Sequence, residues 1–121
     1  MLKDGLVYSE SRMGYEQEFM EDLAAFELKS SCGTFQGGPV LFRKNDICYT
    51  DHSDSHDLIV GDTGSQKTLK FVLPLIYSCA MAGESMVIVD PKGELVRKSG
   101  EFLERKGYCL LYTSDAADDL T

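Results

Sequence analysis

Eight consecutive residues carry the strongest chemical signal in this chain: Gly61-Asp62-Thr63-Gly64-Ser65-Gln66-Lys67-Thr68. They fit the phosphate-binding pattern G-x-x-x-x-G-K-[S/T] at every defining position but one, where Gln66 replaces the second glycine. In such a loop, successive backbone N–H groups turn inward around the phosphates, and the helix that follows adds the positive end of its dipole. Lys67 is then expected to reach the β- and γ-phosphates of ATP, with the Thr68 hydroxyl on Mg²⁺. Gln66 sits close to the phosphates, where glycine leaves room and free φ and ψ. Its side chain must point outward, or its backbone must accept a strained angle.

A second candidate is the single acid that ends Met86-Val87-Ile88-Val89-Asp90. Apolar residues ending in a carboxylate have the form of a strand whose acid holds Mg²⁺ through water. Asp90 precedes Pro91, so capping of the next turn explains it equally well. Glu94 is in the same position: it could polarise a water for catalysis, or complement a helix dipole. The run Asp51-His52-Ser53-Asp54-Ser55-His56 offers metal-ligand types but reads as a solvated polar loop.

The elements that must position these residues follow from periodicity. Asp57–Val60 is an apolar run leading into the loop, and Leu69, Val72, Leu73, Ile76 and Ala80 recur at helical spacing after it. Pro74 lies inside that helix, and a kink is expected there. Met86–Val89 reads as a strand buried on both faces, as in a parallel sheet, and 93–106 as a third helix. Strand, loop, helix, strand, helix is a βαβα series with right-handed crossovers.

Upstream, Tyr15, Phe19, Leu23 and Phe26 form an apolar stripe that predicts an amphipathic helix over 11–30. Glycines and Pro39 then break the chain. Val40–Phe42 and Ile47–Tyr49 flank Arg43-Lys44-Asn45-Asp46 as a hairpin. The expected fold is α/β: a partial P-loop, RecA-like parallel sheet with flanking helices, preceded by an amphipathic helix and a β-hairpin.

The 121 residues allow one small core, against the ~150 that such a nucleotide-binding sheet usually needs. A formal net charge of -8 argues against a nucleic-acid surface on this segment alone. No apolar run of ~18 residues occurs, and no secretory leader opens the chain. The four cysteines, Cys32, Cys48, Cys79 and Cys109, form no C-x-x-C pair and read as reduced thiols.

Two blocks together resemble one family. Asp-Ser-His-Asp-Leu-Ile-Val-Gly before the loop, Val-Leu-Pro-Leu-Ile in the helix, and Gly-Glu-Ser-Met-Val-Ile-Val-Asp-Pro-Lys-Gly-Glu-Leu are similar to the TraG-like coupling ATPases of type IV secretion. FtsK and HerA motors carry related versions and form an alternative; a nucleotide-binding module that does not hydrolyse, suggested by Gln66, is another. The resemblance implies a RecA-like homo-hexamer at the cytoplasmic face of the plasma (inner) membrane. It implies ATP and Mg²⁺ as cofactors, and as partners DNA, a relaxase and the type IV secretion channel. Gly61–Thr68 becomes the ATP site, with Lys67 catalytic and Thr68 on Mg²⁺. Because the family's Mg²⁺-holding acid lies further along, Asp90 becomes a supporting rather than a direct metal residue.

The domain reading is therefore 1–37, N-terminal helix and linker; 38–108, partial nucleotide-binding domain; and 109–121, a tail. Cys109–Asp119 resembles an in-frame translation of a transposase-type sequencing adapter, so that tail is read as non-biological and the chain as a fragment.

Overall fold

The computed structural model describes residues 2–3, 6–7, 15–29 and 35–112. Two short strands, β1 (Leu2–Lys3) and β2 (Leu6–Val7), pair antiparallel. Helix α1 spans Glu16–Asp22, and strands β3 (Ala24–Glu27), β4 (Val40–Lys44) and β5 (Ile47–Thr50) form an antiparallel sheet in the order β3-β5-β4. A π-helical turn, Thr68–Val72, runs into helix α2 (Leu73–Ala82), and helix α3 covers Glu94–Arg105.

The predicted N-terminal helix is only half helix. The Glu18 carboxylate accepts the Tyr15 N–H at 2.9 Å and closes the first turn of α1. At Leu23 the backbone turns extended, with φ -100° and ψ 144°. Ala24–Glu27 then pairs with β5, Phe26 opposite Cys48. Phe26 satisfies a helical stripe and an alternating strand pattern equally well. What decides is the neighbour: Phe26 is buried, stacks on Phe35 with ring centroids 4.6 Å apart, and gains a full ladder of hydrogen bonds. Residues 11–14 and 30 of the predicted helix lie outside the described residues.

The hairpin forms as expected. Asn45, with φ 58°, takes the left-handed turn position that asparagine tolerates. A bulge between Val40 and Phe42 turns Leu41 outward, and Phe42 stacks on Tyr49 across the strands.

The two segments read as core strands behave differently. Among the described residues neither Asp57–Val60 nor Met86–Val89 has a strand partner, and the three-stranded sheet present is antiparallel rather than parallel. Leu58, Val60, Val87 and Val89 are exposed. A run that is apolar on both faces becomes a strand only where a neighbour supplies ladder hydrogen bonds.

The helical core joins α2 to α3. Leu73, Ile76, Ala80, Leu95 and Leu103 are buried together, with Val72, Tyr77, Met86, Phe102, Tyr108 and Leu110 packed around them. Tyr77 meets Phe102 edge-on, with ring planes at 78°. Leu110 thus packs on this core from within the segment read as a tail.

Polar ties fasten the sheet to α2. Gly38 N–H donates to the hydroxyl of Ser78, which is fully buried, and Gly37 N–H donates to the Glu84 carboxylate at 2.7 Å. The approach leaves no room for a side chain at Gly37: a Cβ there would lie 2.7 Å from the Cys79 Cα.

Candidate nucleotide site

The loop 61–68 stands where α2 is fed from the extended segment 57–60. Asp62–Gln66 is exposed; Gly61, Lys67 and Thr68 are half-buried. The turn is closed by its own hydrogen bonds. Ser65 N–H donates to the Asp62 carbonyl at 3.0 Å, and Thr63 N–H donates to the Asp62 carboxylate at 2.7 Å. Gly64 takes φ 87°, which glycine adopts without penalty.

Gln66 takes φ 59°, so the strained of its two options is the one adopted. The next residue, Lys67, is right-handed at φ -50°, ψ -46°. Adjacent residues of opposite handedness turn their N–H groups toward a common point, the concavity that binds anions. The Gln66 carbonyl accepts Lys70 N–H at 2.8 Å, so this residue also begins the helical hydrogen-bond ladder.

Around Pro74, where a kink is expected, the helical ladder changes from π to α. Proline lacks an N–H and its ring crowds the carbonyl four residues back. The chain meets that demand with the π-turn Thr68–Val72, closed by Leu73 N–H on the Thr68 carbonyl, and Pro74 follows it directly within a helical stretch that continues to Ala82.

Lys67 does not extend into solvent. Its ammonium donates to the Gly61 carbonyl, to the Asp62 carbonyl at 3.1 Å and to the Ser65 hydroxyl at 3.3 Å.

Asp90 and Glu94 lie at the start of α3, and all the hydrogen bonds and ion pairs described for them fall within 90–98. The Asp90 carboxylate accepts Glu94 N–H at 3.1 Å on one oxygen and Val96 N–H at 3.0 Å on the other. That is the helix-capping role. Glu94 pairs with Lys98 at 2.6 Å, one turn on. The Lys98 hydrogen bond and charge, helped by Arg97 and Lys92, hold the Glu94 carboxyl below the usual glutamate range.

No group of three or more His, Cys, Asp or Glu that could hold a metal ion is found among the described residues. Asp51 instead accepts the Ser53 N–H at 2.8 Å, a local turn.

Three residues escaped the sequence reading: Ser78, Glu84 and Tyr108. The Tyr108 hydroxyl donates to the Glu84 carbonyl at 2.8 Å, so Glu84 is held at both its carboxylate and its backbone. The doubled glycine at 37–38 was the available signal, since paired glycines mark a close backbone approach.

A family model for type IV secretory system conjugative DNA transfer matches residues 12–118. The chain belongs to that family. The match agrees with the resemblance carried by Leu58–Thr68 and Glu84–Leu95, and it includes 109–118 as well as the loop. No curated protein and no solved structure matches the chain. Among the described residues of this conjugative-transfer protein, no helix is long and apolar enough to cross a membrane.

Proposed function

We propose that Gly61–Thr68 binds the phosphates of ATP, and that this chain is the nucleotide-binding part of a coupling ATPase for conjugative DNA transfer. The observation that supports this most directly is the left-then-right backbone at Gln66 and Lys67, at the start of a helix. Gly61, Asp62, Thr63, Gly64, Ser65 and Gln66 form the cradle, Lys67 supplies the cation, and the Thr68 hydroxyl stands in the first helical turn, where it would take Mg²⁺. Bound Mg·ATP would supply the phosphoryl-transfer chemistry; the chain's own share is to hold and orient the polyphosphate.

Asp90 is read as the cap of α3, supporting the site through the fold rather than through the metal. Glu94, held by Lys98, is read as a helix-stabilising acid before a catalytic one. In the complete assembly, DNA with its relaxase, the secretion channel and further copies of the chain in a hexameric ring would be the partners. The inner face of the membrane would be the place of action.

A second reading, a module that binds nucleotide without turning it over, is favoured by one observation: the strained backbone at Gln66. Both readings are tested by titrating Mg·ATP into the chain by calorimetry beside the Lys67→Ala variant. Heat of binding in the wild type, lost in the variant, is expected. No binding, or equal binding by both, would overturn the phosphate-site assignment. Wild-type turnover that Lys67→Ala abolishes would remove the second reading.

A further inference from the structure

Asp62 does more in the loop 61–68 than fill a variable position. Its carbonyl accepts Ser65 N–H at 3.0 Å and its carboxylate accepts Thr63 N–H at 2.7 Å, so one residue takes two of the loop's amides. The anchored carboxylate is also exposed. Asp62 and Lys67 are the charged side chains of Gly61–Thr68, so the loop as a whole carries no net charge. With a neutral residue at 62 it would carry the positive charge of Lys67 alone.

We infer that the Asp62 carboxylate is a charge filter, which makes the loop accept a polyphosphate as its Mg²⁺ complex and disfavour the metal-free form. The inference rests on the phosphate-site reading. Repulsion between like charges grows with the charge on the ligand. Bound Mg²⁺ neutralises part of the charge on the β- and γ-oxygens, so Asp62 penalises free ATP more than Mg·ATP. Lys67 has the opposite preference, since its attraction is greatest for the most anionic ligand, and the acid ahead of it in the loop offsets that preference. Placing an unfavourable charge against the wrong ligand is a general route to discrimination. The hydrogen bond from Thr63 is what keeps the carboxylate in the loop instead of swinging out into water.

Two variants separate charge from shape. Asp62→Asn keeps an oxygen that can accept Thr63 N–H and removes the charge, whereas Asp62→Ala removes both. Asp54→Asn, in the exposed segment ahead of the loop, removes the same charge elsewhere and is the control. Mg·ATP, and ATP in EDTA, are titrated into the intact chain by calorimetry, and the ratio of the two dissociation constants is the readout. In Asp62→Asn that ratio is expected to narrow about threefold, the size of effect an exposed charge gives. The narrowing should come from tighter binding of metal-free ATP and should fade with added salt. Asp54→Asn should leave the ratio unchanged. Amide hydrogen exchange without nucleotide reports the turn: protection of Thr63, relative to its intrinsic rate, is kept in Asp62→Asn and falls several-fold in Asp62→Ala. An unchanged ratio in Asp62→Asn, or equal narrowing in Asp54→Asn, would overturn the filter and leave the phosphate site standing. Equal Thr63 protection in all chains would overturn it as well, because the carboxylate would not be held. Weaker Mg·ATP binding in Asp62→Asn with metal-free binding unchanged would assign Asp62 to the metal instead. Failure of the wild type to bind either form, with Thr63 still protected, would overturn the phosphate-site reading itself and the filter with it.

Discussion

Gln66 holds its backbone at φ 59°, a conformation that costs an ordinary L-residue about 1–2 kcal/mol and glycine almost nothing. Glycine also loses more freedom on folding, which returns part of that difference. Gln66→Gly is therefore expected to stabilise the chain by about 0.5–1 kcal/mol, read as a rise in the urea midpoint at unchanged slope. A neutral or destabilising result would mean that the Gln66 side chain contributes contacts that offset its strain. Glu94 carries the second expectation at this scale. Because Lys98 depresses its native pKa, the stabilisation from this pair is complete above the ordinary glutamate value and fades as pH falls through the lower native value. Paired urea melts of wild type and Glu94→Gln should thus differ at neutral pH and converge in acid. Added salt should shrink the neutral difference, since both side chains are partly exposed. A gap that ignores pH would show that the charge is not what matters at Glu94.

Elements show where local preference was overruled. The stripe Tyr15, Phe19, Leu23, Phe26 predicts one helix, but Phe26 is the residue that β5 needs opposite Cys48, and the strand prevails. Pro74 predicts a disturbance within a helix, and the π-turn Thr68–Val72 lies immediately before it. The third helix needed no such adjustment: predicted at 93–106, it is found at Glu94–Arg105. Its start is fixed by Asp90, whose two oxygens take two otherwise unpaired N–H groups. Asp90→Ala should cost about 1 kcal/mol, the usual loss of a capping carboxylate. Hydrogen exchange would locate that loss in the first turn of α3. If Mg·ATP affinity fell sharply with stability unchanged, Asp90 would belong to the metal rather than to the helix.

Among the described residues, polar contacts at Gly37 and Gly38 tie the approach to the antiparallel sheet to the helical pair, whose buried apolar cluster comes from α2 and α3. Ser78 is central, since its hydroxyl is fully buried and receives the Gly38 N–H at 3.1 Å. Ser78→Ala leaves that N–H without its partner, and a loss of about 1–3 kcal/mol is expected on thermal or urea unfolding. A loss of only a few tenths would mean that water replaces the hydroxyl and that the tie is weak. The loop Gly61–Thr68, the hairpin around Asn45 and the helices after the loop and after Asp90 were all legible in the sequence. Each is written in local terms: turn residues that tolerate positive φ, apolar residues at helical spacing, an acid ahead of a helix. The family was legible for the same reason, because Asp90–Leu95 and the loop are contiguous motifs. Tertiary contacts decided the rest. Phe26 became strand because β5 lay beside it, and Ser78, Glu84 and Tyr108 gained their roles from partners distant in the chain. Asp57–Val60 and Met86–Val89 have the composition of core strands but no neighbour among the described residues. A strand is defined by its hydrogen-bonded partner, which no single run of residues specifies. The residues of the loop Gly61–Thr68 were therefore legible in the sequence, while the inward turn of Lys67 onto Gly61, Asp62 and Ser65 came only with the folded backbone.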